Sequence, residues 1–391
     1  MSPPSPTTPT DSGHRTLATV LLAVSAFLIV TTEFLIVGLL PALARDLGLS
    51  IASAGRLVTL FAFTVMLAGP PLTALLSHID RRRLFIAILV LFAVSNALAA
   101  LAQQPWILAV ARVLPALALP VFWGTASETA AQLAPAGQQG RAVARVYMGI
   151  AAAMVFGIPL GTLAADSVGW RGSFWLLAAL PLLMAAALWI WLPSTPAAPP
   201  RRLGDQLKAV RGPALLGNVL LSVLVFTAMF AAYTYLADVL ERLLGIPTAQ
   251  VGWWLMGFGA VGLLGNFLGG RWVDHAPLGA TLVFCAVLAL GMLGSTALAE
   301  HRALAVLALA VWGVAHTALF PLCQVRVMRA APQAQALAGT LNVSAANAGI
   351  GLGALLGGGV IERSGLVSLG AAAAAVALLA IAGSLLLRRW Q

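Results

Sequence analysis

The sequence holds very little charge: 9% of its 391 residues are Asp, Glu, Lys or Arg, and Lys208 is the single lysine among 22 basic residues. Soluble domains carry roughly 25% charged residues. With 61% hydrophobic residues and a mean hydropathy of +0.97, a soluble chain of this length could not hide its apolar surface in cores of ordinary size. The solvent this composition predicts is lipid.

Cysteine is scarce too. Cys285 and Cys323 both lie in apolar runs, with no CxxC pair and no His/Cys cluster of metal spacing. Free buried thiols are therefore expected, and no metal site. The sequence has no GxxxxGK[ST], HExxH or GxSxG, which argues against ATP hydrolysis and against enzyme chemistry in general, and no cofactor is expected. Gly349, Gly351 and Gly353 form a GxGxG run, but inside an apolar stretch, where helix packing is the better reading. The first fifteen residues are rich in Pro, Ser and Thr and contain no apolar leader segment. The chain is expected to insert by its own helices.

A membrane span needs about 20 apolar residues, and twelve runs qualify: Leu17–Leu40, Ala52–Ser77, Leu84–Leu101, Trp106–Ala131, Ala142–Ala165, Phe174–Leu192, Ala214–Leu236, Val251–Val273, Leu278–Leu298, Leu304–Val325, Ala336–Val360 and Leu366–Leu387. The net charge of +10 would suggest nucleic acid in a soluble protein, but here the basic residues sit in short groups between spans. With the amino terminus inside, 15 basic residues, Arg326 and Arg329 among them, fall on the cytoplasmic face and six outside, with Arg112 within a span. The positive-inside rule then places both termini in the cytoplasm of a bacterial inner membrane. The bilayer is the expected partner, not nucleic acid.

Residues 193–212 are rich in proline and arginine, unlike any other connection. They divide the chain into a cytoplasmic tail (1–15), a first six-helix bundle (16–192), a cytoplasmic linker (193–212) and a second bundle (213–391). The halves echo each other. Gly48 and Gly55 recur as Gly245 and Gly252, Ala134-Pro135 as Ala331-Pro332, and Gly157 and Gly161 as Gly353 and Gly357, at offsets of 196 or 197. Parallel halves related by an axis along the membrane normal are one transporter plan.

Four features are similar to the major facilitator superfamily, in its proton-coupled efflux branch of drug, sugar and purine-nucleoside exporters. Thr32-Glu33-Phe34 before Gly38-Leu39-Leu40-Pro41 resembles that branch's first helix. Glu33 lies eight residues before Pro41, about 12 Å inside the outer end. A carboxylate there must be paired, protonated or facing water, which suits a group that loads and releases a proton; the alternative is an interfacial Glu held by a structural hydrogen bond. Arg112 matches the arginine of the family's fourth-helix motif, although Pro115 and Ala116 depart from it. It lies about 10 Å below the same face, at the depth of Glu33. The resemblance implies that the two share the central cavity and act in proton coupling; snorkelling of Arg112 to the headgroups is the other reading.

Gly149, Ala153, Gly157 and Gly161 recur every four residues around Pro159, similar to the family's antiporter motif. Such a stripe lets another backbone approach closely, with or without a transport role. The fourth feature is a degraded gating loop. Gly69 precedes Asp80-Arg81-Arg82-Arg83 with Thr73 where the family has Asp, and the echo keeps Gly270 and Asp274 without the basic run. These arginines serve either as a latch or as topology signals.

The resemblance also implies that helices seven and ten face the cavity, which makes Asn218, Tyr233 and His316 substrate-cavity candidates. Trp123, about three turns beyond Arg112 on one helical face, is another. Asn96, Asn342 and Asn347 read as structural, the last two as interhelical hydrogen bonds. Asp238 and Glu128 read as interfacial, and Trp106, Trp170, Trp175, Trp189, Trp191 and Trp390 as an aromatic belt. The expected protein is an all-α polytopic monomer of twelve transmembrane helices in two pseudo-symmetric bundles, exporting a small molecule (drug, sugar or nucleoside-like) by proton antiport and alternating access. A proton-coupled uptake carrier or facilitator is the alternative within transport, and a membrane sensor or scaffold the one outside it.

Overall fold

The computed structural model describes residues 9–76, 78–134, 139–194, 212–273, 276–332 and 335–388, and these residues are helical with short connections. The long helices are α1 (Pro9–Leu47), α2 (Ile51–Leu76), α3 (Arg81–Ala100), α4 (Pro105–Leu133), α5 (Gln139–Ala152), α6 (Ile158–Trp191), α7 (Pro213–Tyr233), α8 (Thr248–Val273), α9 (Pro277–Ala297), α10 (Arg302–Arg329), α11 (Gln335–Ser364) and α12 (Leu369–Arg388). The π-helical turn Ala153–Gly157 joins α5 to α6, and Leu236–Asp238 with the π turn Val239–Leu243 extends α7. Thus α1 begins inside the predicted tail, and most of the predicted linker lies outside the described residues.

Eleven described helical stretches are long and apolar enough to cross a membrane. One of them, Arg145–Trp191, has 47 residues. At 1.5 Å per residue it would run about 70 Å, more than twice the hydrocarbon thickness. The backbone breaks within it at Gly169 (φ 72°, ψ 163°), so it makes two crossings and the total is twelve. The expected loop between spans five and six is thus a single glycine hinge.

The repeat is written in the backbone. Gly48, Gly169, Gly245 and Gly365 are the positive-φ residues among those described, at 62°, 72°, 65° and 81°. They pair at offsets of 197 and 196, and the Gly169–Gly365 pair was not among the sequence echoes. Gly48 closes α1, where the Leu49 amide donates to the Ala44 carbonyl at 2.9 Å, the bond of a left-handed glycine cap. Asp80 starts α3 by accepting from the Arg83 amide at 3.1 Å, as an N-cap does.

Helices α1–α6 pack with one another, as do α7–α12, and the halves meet where α2 lies along α11 and where the α5–α6 junction lies along α8. At the first seam Thr59 Oγ1 donates to the Gly351 carbonyl at 3.1 Å. At the second, Gly259 and Gly252 lie against the backbone of Met154 and Pro159. Toward the face opposite the termini, Tyr235 interrupts α7 and donates its hydroxyl to the Ala354 carbonyl at 2.6 Å. Its ring fills the space beside Gly55 of α2 and Gly357 and Gly358 of α11. On the rim of that face Arg45 meets Glu241 at 3.0 Å and Arg56 meets Glu362 at 3.8 Å, both across the halves.

Candidate functional site

Helix α1 carries Glu33 at mid-length, and α4 delivers Arg112 to the same level. Arg112 Nη1 donates to the Thr32 carbonyl at 2.9 Å and Nη2 to the Glu33 carbonyl at 2.8 Å. The guanidinium lies 4.3 Å above the Phe61 ring of α2. From α3, Asn96 Nδ2 donates to Thr32 Oγ1 at 3.2 Å and to the Leu177 carbonyl of α6 at 3.0 Å. Two helices, α3 and α4, therefore fix α1 at one point, with α6 and α2 holding the side chains that do so. Arg112 is 2% exposed, so its side chain ends inside the bundle and does not snorkel.

The arginine is occupied by backbone oxygens, which carry only partial charge. The Glu33 carboxylate itself has no donor or cation at hydrogen-bond or ion-pair distance among the described residues. It is 9% exposed. A carboxylate near a permanent cation but not bound to it keeps its lone pairs available.

Phe34, the next residue, leads across the interface: its ring is 5.7 Å from Phe230 of α7. Phe230 is one wall of an aromatic box around His316 of α10. Ring centroids of Tyr233, Phe230, Phe258 and Phe320 lie 4.5, 5.5, 5.8 and 5.8 Å from the imidazole. His316 is 2% exposed, and neither ring nitrogen has a hydrogen-bond partner among the described residues. Tyr233 points its hydroxyl at Met154 Sδ, 4.0 Å away in the π turn of the first half. The structure thus joins Tyr233 and His316. Asn218 is elsewhere: fifteen residues before Tyr233 on α7, it is about 22 Å away along the axis, and its Nδ2 donates to its own helix at Ala214. Trp123 packs against Phe122 and against Tyr147 of α5, at 5.4 and 5.3 Å.

The glycine stripe faces α1. A methyl at Gly149 would meet the Ala23 carbonyl, one at Gly157 would meet Thr31, and one at Gly161 would meet Leu35; Pro159 adds the carbonyl that approaches Gly252. In the second half, Gly349, Gly353 and Gly357 face Val223, Thr227 and Ala231 of α7 in the same manner.

The loop arginines act within the first half. Arg81 is buried and meets Glu128 of α4 at 2.9 Å. Arg82 donates to the Trp189 carbonyl and covers that indole. Arg83 contributes its amide to the Asp80 cap, whose other oxygen accepts from Ser194 at 2.6 Å. Burial pushes the Asp80 carboxyl up, but the Ser194 hydroxyl and the Arg83 amide and charge prevail and hold it below the usual range. Gly69 packs on Pro120 of α4, Gly270 has open space beside it, and Asp274 lies outside the described residues.

Several expectations are corrected. Arg326, counted with the cytoplasmic loops, is 3% exposed within the second half. Asp238 is fully buried, with Arg242 at 3.3 Å. Trp170 is buried rather than in a belt and donates to Asp46 at 2.8 Å. Asn347 bonds to its own helix at Val343, whereas Asn342 does reach another helix, at Gln324. Trp390 lies outside the described residues.

Comparison with known proteins agrees with this architecture. A sequence profile described as Major Facilitator Superfamily matches residues 22–343 and 221–390. The "Inner membrane transport protein YdhP" of Escherichia coli (strain K12) is 36% identical over 92% of this chain and 94% of its own. A "Probable sugar efflux transporter" of Helicobacter acinonychis (strain Sheeba) is 32% identical over 92% of each. Among solved structures, a bacterial homolog of the human lysosomal transporter Spinster, inward-facing and occupied, superposes with a TM-score of 0.81 at 18% identity, covering 96% of this chain and 97% of that one. Twelve membrane-crossing helices in two repeated halves, together with these likenesses, make the chain a transporter of the major facilitator superfamily.

Proposed function

We propose that the protein exports a small molecule in exchange for protons across a bacterial inner membrane, with both termini cytoplasmic and a monomer as the working unit. The observation that carries this reading is the Glu33 carboxylate: at mid-membrane, beside Arg112, yet without a bound counter-ion among the described residues. A carboxylate locked in a salt bridge would be a structural pin, whereas one without a fixed partner can be protonated from one side and deprotonated to the other. Arg112 holds the α1 backbone at Glu33 and supplies the field in which the acid titrates.

The positive-inside rule makes the face closed by Arg45–Glu241, Arg56–Glu362 and Tyr235 the outer one, so this conformation is closed to the outside. Rocking of the halves about the α2–α11 seam and the seam of α8 with the α5–α6 junction would expose Glu33 there. The cargo would bind between the Glu33 level and the His316 box. Differential affinity of proton and cargo for the two states then drives exchange. The relatives named for the inner membrane and for sugar efflux support location and direction.

The test is accumulation of labelled sugars, nucleosides and cationic drugs in inverted vesicles with and without a pH gradient, for wild type and Glu33→Gln. Gradient-driven accumulation by wild type, with only downhill exchange left in the variant, is expected. Accumulation by the variant equal to that of wild type would remove Glu33 from coupling. Exchange indifferent to the gradient in both would make the protein a facilitator.

A further inference from the structure

Toward the end opposite the termini, the second half has a groove of about 300 Å³ between the extension of α7 and helices α8 and α10. Leu240 of the extension, Trp253, Gly257 and Phe258 of α8, and Val306 and Leu309 of α10 line it. It opens sideways. Trp253 is 61% exposed and Gly257 is exposed as well, while Gly252 and Gly259, on the other side of α8, lie against the first half. A methyl at Gly257 would meet nothing within 4 Å, so the missing side chain there leaves space that no neighbouring helix takes up.

The depth identifies what reaches it. Trp253 to Phe258 lie five to ten residues inside the start of α8 at Thr248, and Val306 to Leu309 four to seven after Arg302, which is about 6–15 Å from those helix ends. That is the hydrocarbon of one leaflet, half of a core about 30 Å thick. Walls facing a void lose their contacts outright, and the molecules at hand at this level are acyl chains.

A charge stands above the groove. Arg302 opens α10 and precedes Val306 by four residues and Leu309 by seven, so it tops the same helical face. It is exposed, and among the described residues no carboxylate, that of nearby Glu300 included, is at ion-pair distance from it. Arg242, two residues beyond Leu240, is by contrast held by Asp238 at 3.3 Å.

We propose that this groove binds an anionic phospholipid of the phosphatidylglycerol kind, one acyl chain lying along α8 and α10 and the phosphate meeting Arg302. A chain in this place rests on Phe258, which on its other side is a wall of the His316 box, 5.8 Å from the imidazole, so the lipid braces that wall. The proposal needs the membrane-spanning fold and neither the direction nor the coupling of transport.

The experiment adds phosphatidylglycerol with dibrominated acyl chains to the full-length protein in non-ionic detergent and follows tryptophan fluorescence, since bromine quenches an indole it touches and Trp253 lines the groove. Wild type is expected to show saturable quenching, at lower lipid concentration than with dibrominated phosphatidylcholine. Gly257→Leu fills the open space, keeps the fold because leucine is the better helix former, and should lose the saturable part. Arg302→Gln, at an exposed position, should weaken phosphatidylglycerol about fivefold, to the level of phosphatidylcholine. No saturable quenching in wild type overturns the proposal, as does saturable quenching of wild-type size in Gly257→Leu, which would put the lipid elsewhere. Phosphatidylcholine binding wild type as tightly as phosphatidylglycerol, the result expected of a side entrance for apolar cargo, overturns it too.

Discussion

Arg45 Nη1 stands 3.0 Å from Glu241 Oε2, the first three residues before Gly48 and the second four before its repeat Gly245. The end of one half thus holds the end of its repeat. Arg45 is 56% exposed in its side chain and Glu241 10%, and pairs of this kind contribute about 0.2–1 kcal/mol. Glu241→Arg should open the rim more often and raise the labelling of Thr59→Cys by a polar maleimide up to about fivefold. Arg45→Glu with Glu241→Arg should restore the original rate. Equal labelling in all three backgrounds would deny the pair a role in closure.

The glycine stripe makes an ordering that a thermal unfolding series can check. Gly149→Ala would drive a methyl into the Ala23 carbonyl, and Gly349→Ala one into Phe226 and the Val223 carbonyl, whereas Gly359 has nothing within 4 Å. The first two should lose about 1–3 kcal/mol by overpacking. Gly359→Ala should be neutral or gain up to about 1 kcal/mol from helix propensity.

Arg112→Lys keeps the charge and loses the fork that holds two carbonyls at once. One ammonium cannot reproduce both bonds and the stacking on Phe61. Transport should fall at least about tenfold, since the one charge-assisted bond lost is worth about 1.5–3 kcal/mol and 1.4 kcal/mol is about tenfold. Retained turnover, measured in proteoliposomes, would show that charge alone suffices.

Gly169 and Gly365 sit at φ 72° with ψ 163° and φ 81° with ψ 168°, a region essentially closed to residues with a Cβ. Alanine at either place should cost about 1–3 kcal/mol, although neither position is crowded. The loss read from unfolding in detergent should be of similar size at both, because the two turns are copies.

Heights in the membrane were legible from the sequence; directions were not. Counting residues from Pro41 and Pro105 placed Glu33 and Arg112 at one level, where the structure has them. That Arg112 would take the carbonyls of α1 could not be read, because backbone acceptors leave no mark in a sequence. Arg326 and Asp238 lie near helix ends, so depth alone made them interfacial, but both turn into the bundle. Trp170 follows a hinge glycine, which aims it at Asp46 instead of the lipid. The repeat was partly visible, since Gly48 and Gly245 echo each other. The Gly169–Gly365 echo stayed hidden because glycine is common here, and only φ separates a hinge from a packing residue.

Tyr235 gives the closed face an electrical character. The formal charges that pair across the halves at its rim, Arg45, Arg56, Glu241 and Glu362, belong to helix ends, while the space between α2 and α11 is filled by an uncharged phenol bonded to a carbonyl. A transmembrane voltage does work only on charge moved through it. Parting these contacts shifts almost none, so the potential should leave the hinge nearly untouched and act instead on whatever ions travel with the cargo.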